Sequence, residues 1–247
     1  MKKFLSWQTI FALMLVLLSV LFYFIHYLIF KDIHHIFLYL IGDIGFLFLD
    51  VLIVMLVLHR LLEYREKRAV LKKLNMVIGV FFSEVGTELM RIFTRFDNDL
   101  SSIEKDLIVN ENWTARKFLE AKKKVGHSQS TINIKEFDMA KLRNFLSEKR
   151  QFLLNLLENP NLLEHESFTD LLLPVFHLTD ELSHRKDLTS LPDPDLKHLA
   201  GDIKRVYKKL ILEWLDYMQY LKDAYPYLFS LAIRTNPFDT SVKVEIS

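Results

Sequence analysis

The stretch IFLYLIGDIGFLFLDVLIVMLVL, residues 36–58, is followed directly by HRLLEYREKRAVLKK, residues 59–73. The first stretch is apolar except for Asp43 and Asp50, and it is long enough for a helix to cross a hydrocarbon layer of about 30 Å. The second stretch carries six Lys or Arg and two Glu. No Gly or Pro separates the two, so the sequence predicts one helix that continues from a membrane span into a polar stalk.

A second apolar run lies upstream, at residues 4–30. It is too long for a cleavable signal peptide and no Ala-x-Ala-like site follows it, so we expect a retained span. Only residues 31–35 connect the two runs, which predicts an antiparallel hairpin. We therefore divide the chain into a transmembrane hairpin (1–58, with spans at about 4–30 and 36–58), a juxtamembrane or stalk helix (59–97) and a cytoplasmic helical domain (98–247).

The basic residues predict the orientation of the hairpin. Six Lys or Arg follow the second span within residues 60–73, whereas Lys31 stands alone in the connection between the spans. The positive-inside rule then places both termini in the cytoplasm and the chain in the inner (plasma) membrane. We also expect the basic stretch 60–73 to contact anionic lipid headgroups.

Asp43 and Asp50 are unusual because an ionised carboxylate near the centre of a span costs about 2.5–3.5 kcal/mol on insertion scales. They are seven residues apart and share one helix face. Ser19 and His26 have the same spacing on the first span. These four residues predict either polar contacts between the two spans or a polar path for cations or protons.

A specific register follows from the equal spacing of the two pairs. A turn between His34 and His35 would bring His26 near Asp43 and Ser19 near Asp50. We therefore expect these contacts if the hairpin reverses at that point.

The stalk carries a heptad-like apolar seam, which predicts helix packing along one face. Gly79, Ser83 and Gly86 form a row of small residues beside the seam, where another helix could approach closely. Two interpretations stay open: packing within one chain, or a coiled coil between identical stalks in a homo-oligomer. The residues of the seam are Leu71, Leu74, Ile78, Phe81, Val85, Leu89, Ile92 and Phe96.

The remainder of the chain has helical periodicity, and the fold class that we expect is an all-α membrane protein with a cytoplasmic helical bundle. The most aromatic stripe follows the Leu191-Pro-Asp-Pro-Asp turn and includes Tyr207 and Trp214. The last residues alternate weakly and predict one short strand at 242–246.

Composition excludes several classes of function. The chain has no Cys, which removes thiolate catalysis and Cys-ligated metal sites. Its six Gly form no phosphate-binding loop, and a net charge of +1 gives no basic surplus for nucleic acid. We predict no catalytic residue.

One cluster is typical of metal ligands. His177, Glu181 and His184 share a helix face, and Glu181-x-x-His184 has the spacing of carboxylate-bridged di-iron bundles. Such bundles need a second Glu-x-x-His, which the chain lacks. The alternative interpretation is a polar surface with local salt bridges, and we expect no cofactor; a transition metal is the less favoured alternative.

The leading hypothesis is an integral membrane protein that self-associates through its hairpin and stalk, as a candidate ion- or proton-conducting oligomer. The alternative is a membrane-tethered adaptor or sensor that binds a cytoplasmic protein partner. A third is a metal-dependent helical-bundle enzyme.

Overall fold

The computed structural model describes residues 7–99, 103–128, 132–134, 137–163, 165–239 and 241. These residues contain no strand, and one isolated β-bridge joins Asp97 to Ile132. The all-α prediction is confirmed. The strand predicted at 242–246 lies outside the described residues. Contacts divide the chain into two units, Met1–Lys67 and Arg68–Ser247.

The first unit contains helix α1, Trp7–Phe30, and the first part of helix α2, Ile33–Phe81. Lys31 ends α1 in the left-handed region, with φ 51°, and its N–H donates to the Tyr27 carbonyl at 2.8 Å. Asp32 begins α2, since its Oδ1 accepts from the backbone N–H groups of His34 and His35 at 2.9 and 3.3 Å. The chain therefore reverses at Lys31–Asp32.

The predicted turn between His34 and His35 is wrong, because both residues already belong to α2. His26 stacks instead on His35, with ring centroids 5.7 Å apart. Asp43 lies eight residues further along the helix, about 12 Å from His35, so the predicted His26–Asp43 contact is not made. The Ser19–Asp50 contact depended on the same turn and is corrected with it.

α1 and α2 are long and apolar enough to cross a membrane, judged by length and composition. The most apolar windows of residues 9–30 and 33–94 have a mean hydropathy of 2.4 and 2.5. No residue of either window is buried in the chain. The described apolar side chains of residues 7–67 thus find no core of their own.

The second unit is a bundle of helices that starts with the last turns of α2. A single π-helical turn, Phe82–Gly86, follows α2, and the N–H of Thr87 donates to the Phe82 carbonyl across it. The described helices after it are α3 (Thr87–Thr94), a 3₁₀ turn (Glu104–Asp106), α4 (Ala115–His127), α5 (Met139–Leu157), α6 (Pro160–Leu163), α7 (Glu166–His184), α8 (Asp193–Ala224) and α9 (Pro226–Arg234).

Helix α8 is the centre of this bundle and contacts α3, α4, α7 and α9. Its apolar residues recur every three or four positions, so one continuous stripe is buried. Tyr207 and Leu210 are fully buried in this stripe, and Trp214 is 3% exposed. Burying a large apolar side chain contributes about 1.5–3 kcal/mol, so the stripe contributes strongly to the stability of the bundle.

The apolar seam of the predicted stalk faces this bundle. Seven of its eight residues are buried or half-buried, and Phe81 packs edge-on against Phe168 of α7, with ring centroids 5.2 Å apart. From Leu74 to Phe96 the seam therefore packs within one chain, so these residues are not available to a coiled coil between stalks.

The row of small residues serves the same internal packing. A Cβ on Gly79 would lie 2.6 Å from Tyr217 Oη, and one on Gly86 would lie 2.5 Å from Phe82 Cδ1. Ser83 is exposed. Gly79 and Gly86 accordingly leave room for side chains of their own chain, which fits the first of the two open interpretations, packing within one chain.

Substituting Gly86 tests this packing. We expect Gly86→Ala to lower the free energy of unfolding by about 1–3 kcal/mol, because the added methyl group would clash with Phe82 and Phe81 in a filled core. The measurement is denaturant unfolding of the full-length protein in detergent.

Gly201→Ala is the matched control. Gly201 lies inside α8 and a Cβ there meets no atom within 4 Å, so this variant should be about 0.5–1 kcal/mol more stable. Equal effects of the two substitutions would contradict the close packing at Gly86.

Candidate functional site

A groove of about 720 Å³ opens on the second unit, within the range of ligand and peptide sites. One wall is the end of α2, the π-helical turn and α3, and the other is α8 and α9. The π-helical turn contributes Phe82 and Ser83 to this surface. Such turns occur often at functional sites because they displace side chains from the regular helical register.

The floor of the groove is aromatic and uncharged. Phe82 stacks on Tyr217 with ring centroids 5.4 Å apart, and Tyr220 contacts Tyr225 edge-on. Burial raises the pKa of the Tyr217 hydroxyl, and it raises the pKa of Tyr220 to about 12. Both phenols therefore stay neutral at physiological pH.

The rim of the groove collects exposed apolar side chains. Eight large apolar residues of the described second unit are exposed, and five of them line this groove. Clustering of this kind marks interaction sites, whereas single exposed apolar residues do not. The five are Met76, Val80, Tyr227, Leu228 and Leu231.

Arg91 and Glu88 add charges to the lining of the groove. Arg91 Nη1 lies 3.5 Å from Glu88 Oε2, and its Nη2 donates to the Thr235 carbonyl at 3.2 Å. The arrangement thus suits an apolar segment with at least one polar group.

A second cluster lies between α7 and α8. His177 and Glu181 are one turn apart on α7, and His198 and Asp202 are one turn apart on α8. The Nε2 atoms of His177 and His198 lie 3.7 and 3.3 Å from Asp202 Oδ2. The same two atoms lie 3.7 and 3.9 Å from the Glu181 carboxylate oxygens. The ligand atoms of His177, His198 and Asp202 lie within 4.8 Å of one another, which makes two imidazoles and one carboxylate a candidate ligand set for a metal ion, with the Glu181 carboxylate beside them.

Arg185 fixes the geometry beside this cluster. It forms a bidentate pair with Asp195, with distances of 2.8 and 2.6 Å, and its Nη1 donates to Glu181 Oε2 at 2.6 Å. The hydrogen bonds from Arg185 lower the pKa of both carboxyl groups, and chiefly Asp195 raises the pKa of Arg185. Because Arg185 follows α7 and Asp195 opens α8, it ties the two helices together next to the cluster.

The structure brings together only part of the metal set predicted from the sequence. His177 and Glu181 belong to the cluster, but His184 Nδ1 donates to the Asp180 carbonyl at 2.7 Å instead. His198 and Asp202 were missed. The signal that could have found them is His198-x-x-x-Asp202, the same spacing as His177-x-x-x-Glu181 on the preceding helix.

The predicted residues of the apolar hairpin do not form a site within one chain. Ser19, Asp43 and Asp50 are exposed, and among the described residues neither carboxylate has a hydrogen bond or an ion pair. His26 is half-buried against His35 and its Nδ1 has no hydrogen-bond partner in the described part of the chain.

Comparisons with known proteins cover nearly the whole chain. The family model "MJ1433, N-terminal helical domain" matches residues 2–62, and "Uncharacterized protein MJ1433, C-terminal helical domain" matches residues 70–234. A curated protein of Methanocaldococcus jannaschii, Uncharacterized protein MJ1433, is 48% identical over 233 residues, which cover 94% of each chain. No solved structure matches. With both family models and this relative matched, the chain belongs to the MJ1433 family.

Proposed function

We propose that this chain is a two-span protein of the plasma membrane that self-associates through its hairpin and forms a polar path for cations or protons. α1 and the first part of α2 are the spans, and the helical bundle is cytoplasmic. The length and apolarity of the two helices support the spans. The six exposed Lys and Arg of residues 60–73 support the orientation and contact with anionic headgroups.

The single observation that carries self-association is the pair Asp43 and Asp50. Both lie on one face of an otherwise apolar segment, and neither has a hydrogen bond or an ion pair within the described chain. Inserting each ionised carboxylate into a membrane costs about 2.5–3.5 kcal/mol, and nothing within a single hairpin would offset that cost. A second copy supplies polar groups at the same depth, so association of hairpins removes the acids from lipid.

Association on this face also defines the conducting path. Carboxylates of several α2 helices would then surround one axis, as rings of Asp or Glu do in cation pores. The subunit contacts are assigned to the hairpin, because the glycines of the stalk already pack inside the chain.

Neutralising the acids tests this function. We expect the double variant Asp43→Asn/Asp50→Asn to insert and assemble, since an amide is less costly to bury than a carboxylate. Its cation or proton flux in reconstituted liposomes should fall about tenfold or more, because the path loses its fixed charges.

Asp32→Asn is the matched control. It removes one carboxylate charge outside the spans and keeps the helix cap, because Asn also caps helices well. Its flux should equal that of the wild type. Absence of flux from wild-type liposomes at every pH and voltage would contradict the path, and a flux that survives the double variant would contradict the role of these acids.

The second candidate function is a membrane-tethered adaptor. The observation that favours it is the concentration of exposed apolar side chains at the groove of the second unit, where an apolar helix of a cytoplasmic partner would dock. The neighbouring charges of Glu88 and Arg91 would orient such a helix.

Site-specific photo-crosslinking in native membranes tests the adaptor. A crosslinker at Val80, on the groove, should give an adduct whose added mass is not that of this chain. The same crosslinker at Leu119, which is exposed on α4 outside the groove, should give none. Leu231→Asp should abolish the Val80 adduct. Adducts at both positions, or an added mass of one chain, would contradict adaptor binding in the groove.

A further inference from the structure

We propose that His177, His198 and Asp202 bind one divalent first-row transition-metal ion between α7 and α8, with Glu181 beside the site. This site is independent of the hairpin and of the groove. It shares His177 with the set predicted from the sequence, and two residues of α8 take the places of Glu181 and His184.

The spacing of the ligand atoms carries the proposal. Nitrogen and oxygen ligands at about 2.1 Å from a tetrahedral ion are about 3.4 Å from one another. The Nε2 atoms of His198 and His177 lie 3.3 and 3.7 Å from Asp202 Oδ2. The ligand atoms of His177, His198 and Asp202 all lie within 4.8 Å of one another. By contrast, Arg185 Nη2 and Asp195 Oδ1 are 2.6 Å apart, which is the distance of a direct ion pair.

Asp202 provides a second, independent observation. Its residue is 3% exposed, and its Oδ2 has no hydrogen-bond partner in the described part of the chain. The other oxygen, Oδ1, accepts from Arg205 Nη1 at 2.9 Å. A buried carboxylate oxygen without a partner is costly, and a metal ion at the two imidazoles would satisfy it.

The surrounding charges permit a divalent cation. Arg205 donates to Asp202 Oδ1, which leaves Oδ2 toward both imidazoles. Arg185 donates to Glu181 Oε2, which leaves Oε1 at 3.7 Å from His177 Nε2. Such hydrogen bonds to ligands orient them and are typical of metal sites. With Asp195, three carboxylates face two guanidinium groups, so the site keeps one net negative charge when both imidazoles are neutral.

The ligand types determine the class of ion. Two imidazoles and one carboxylate suit Zn²⁺ and Co²⁺, whereas Mg²⁺ and Ca²⁺ prefer oxygen ligands alone. The side chains of His177 and His198 are 51% and 53% exposed, so an ion reaches them from solvent. Bound there, it would hold the end of α7 against the start of α8.

Metal titration of the full-length protein in detergent, after removal of metal with a chelator, tests the site. We expect one Zn²⁺ per chain by elemental analysis, and one Co²⁺ with the visible absorption of tetrahedral cobalt. Zn²⁺ should also raise the melting temperature of the wild type, because it binds the folded state.

Variants of exposed ligands keep the test independent of folding. His177→Ala and His198→Ala should each weaken Zn²⁺ about tenfold or more and abolish the cobalt spectrum, while circular dichroism stays unchanged. Asp202→Asn preserves the size and shape of the side chain and should weaken Zn²⁺ binding to a similar extent. His184→Ala is the control and should bind as the wild type, since His184 bonds to the Asp180 carbonyl. A wild type without stoichiometric Zn²⁺ or Co²⁺, or a loss as large in His184→Ala as in His198→Ala, would overturn the proposal.

Discussion

Burial of the apolar stripe of α8 is the interaction on which the helical bundle depends. The stripe contacts α3, α4, α7 and α9, so it fixes the position of each of them. The adjacent face of α8, toward α9 and the π-helical turn, carries Tyr217, which stacks on Phe82 in the groove. Its first turns carry His198 and Asp202, which meet the residues of α7. Both the groove and the His-carboxylate cluster are therefore products of one packing arrangement.

The apolar hairpin poses the opposite physical problem. The described side chains of its residues 7–67 find no core there, and Asp43 and Asp50 find no polar partner in the described chain. A lipid bilayer would satisfy the apolar side chains but not the carboxylates. The proposed function accounts for both, because self-association in a membrane would supply a polar partner at the depth of the acids.

Periodicity predicted the helices well, because a 3.6-residue repeat records burial on one face whatever covers that face. It could not tell what covers the seam around Phe81, since helices of the same chain and of another chain select the same apolar residues. The hairpin turn was misplaced because Lys31 adopts a left-handed conformation that Gly more often marks. His198 and Asp202 were missed because ligands on two helices meet only once the antiparallel packing is known.

Disulfide crosslinking tests self-association through the acidic face most directly, because the chain has no Cys of its own. Val57 lies seven residues after Asp50 and shares its helix face. Met55 lies at nearly the same depth as Val57 but about 160° away from it around the helix axis. In oxidised native membranes, Val57→Cys should form disulfide-linked dimers and Met55→Cys should not. No dimer at Val57, or equal dimer at both positions, would contradict association through the face of Asp43 and Asp50.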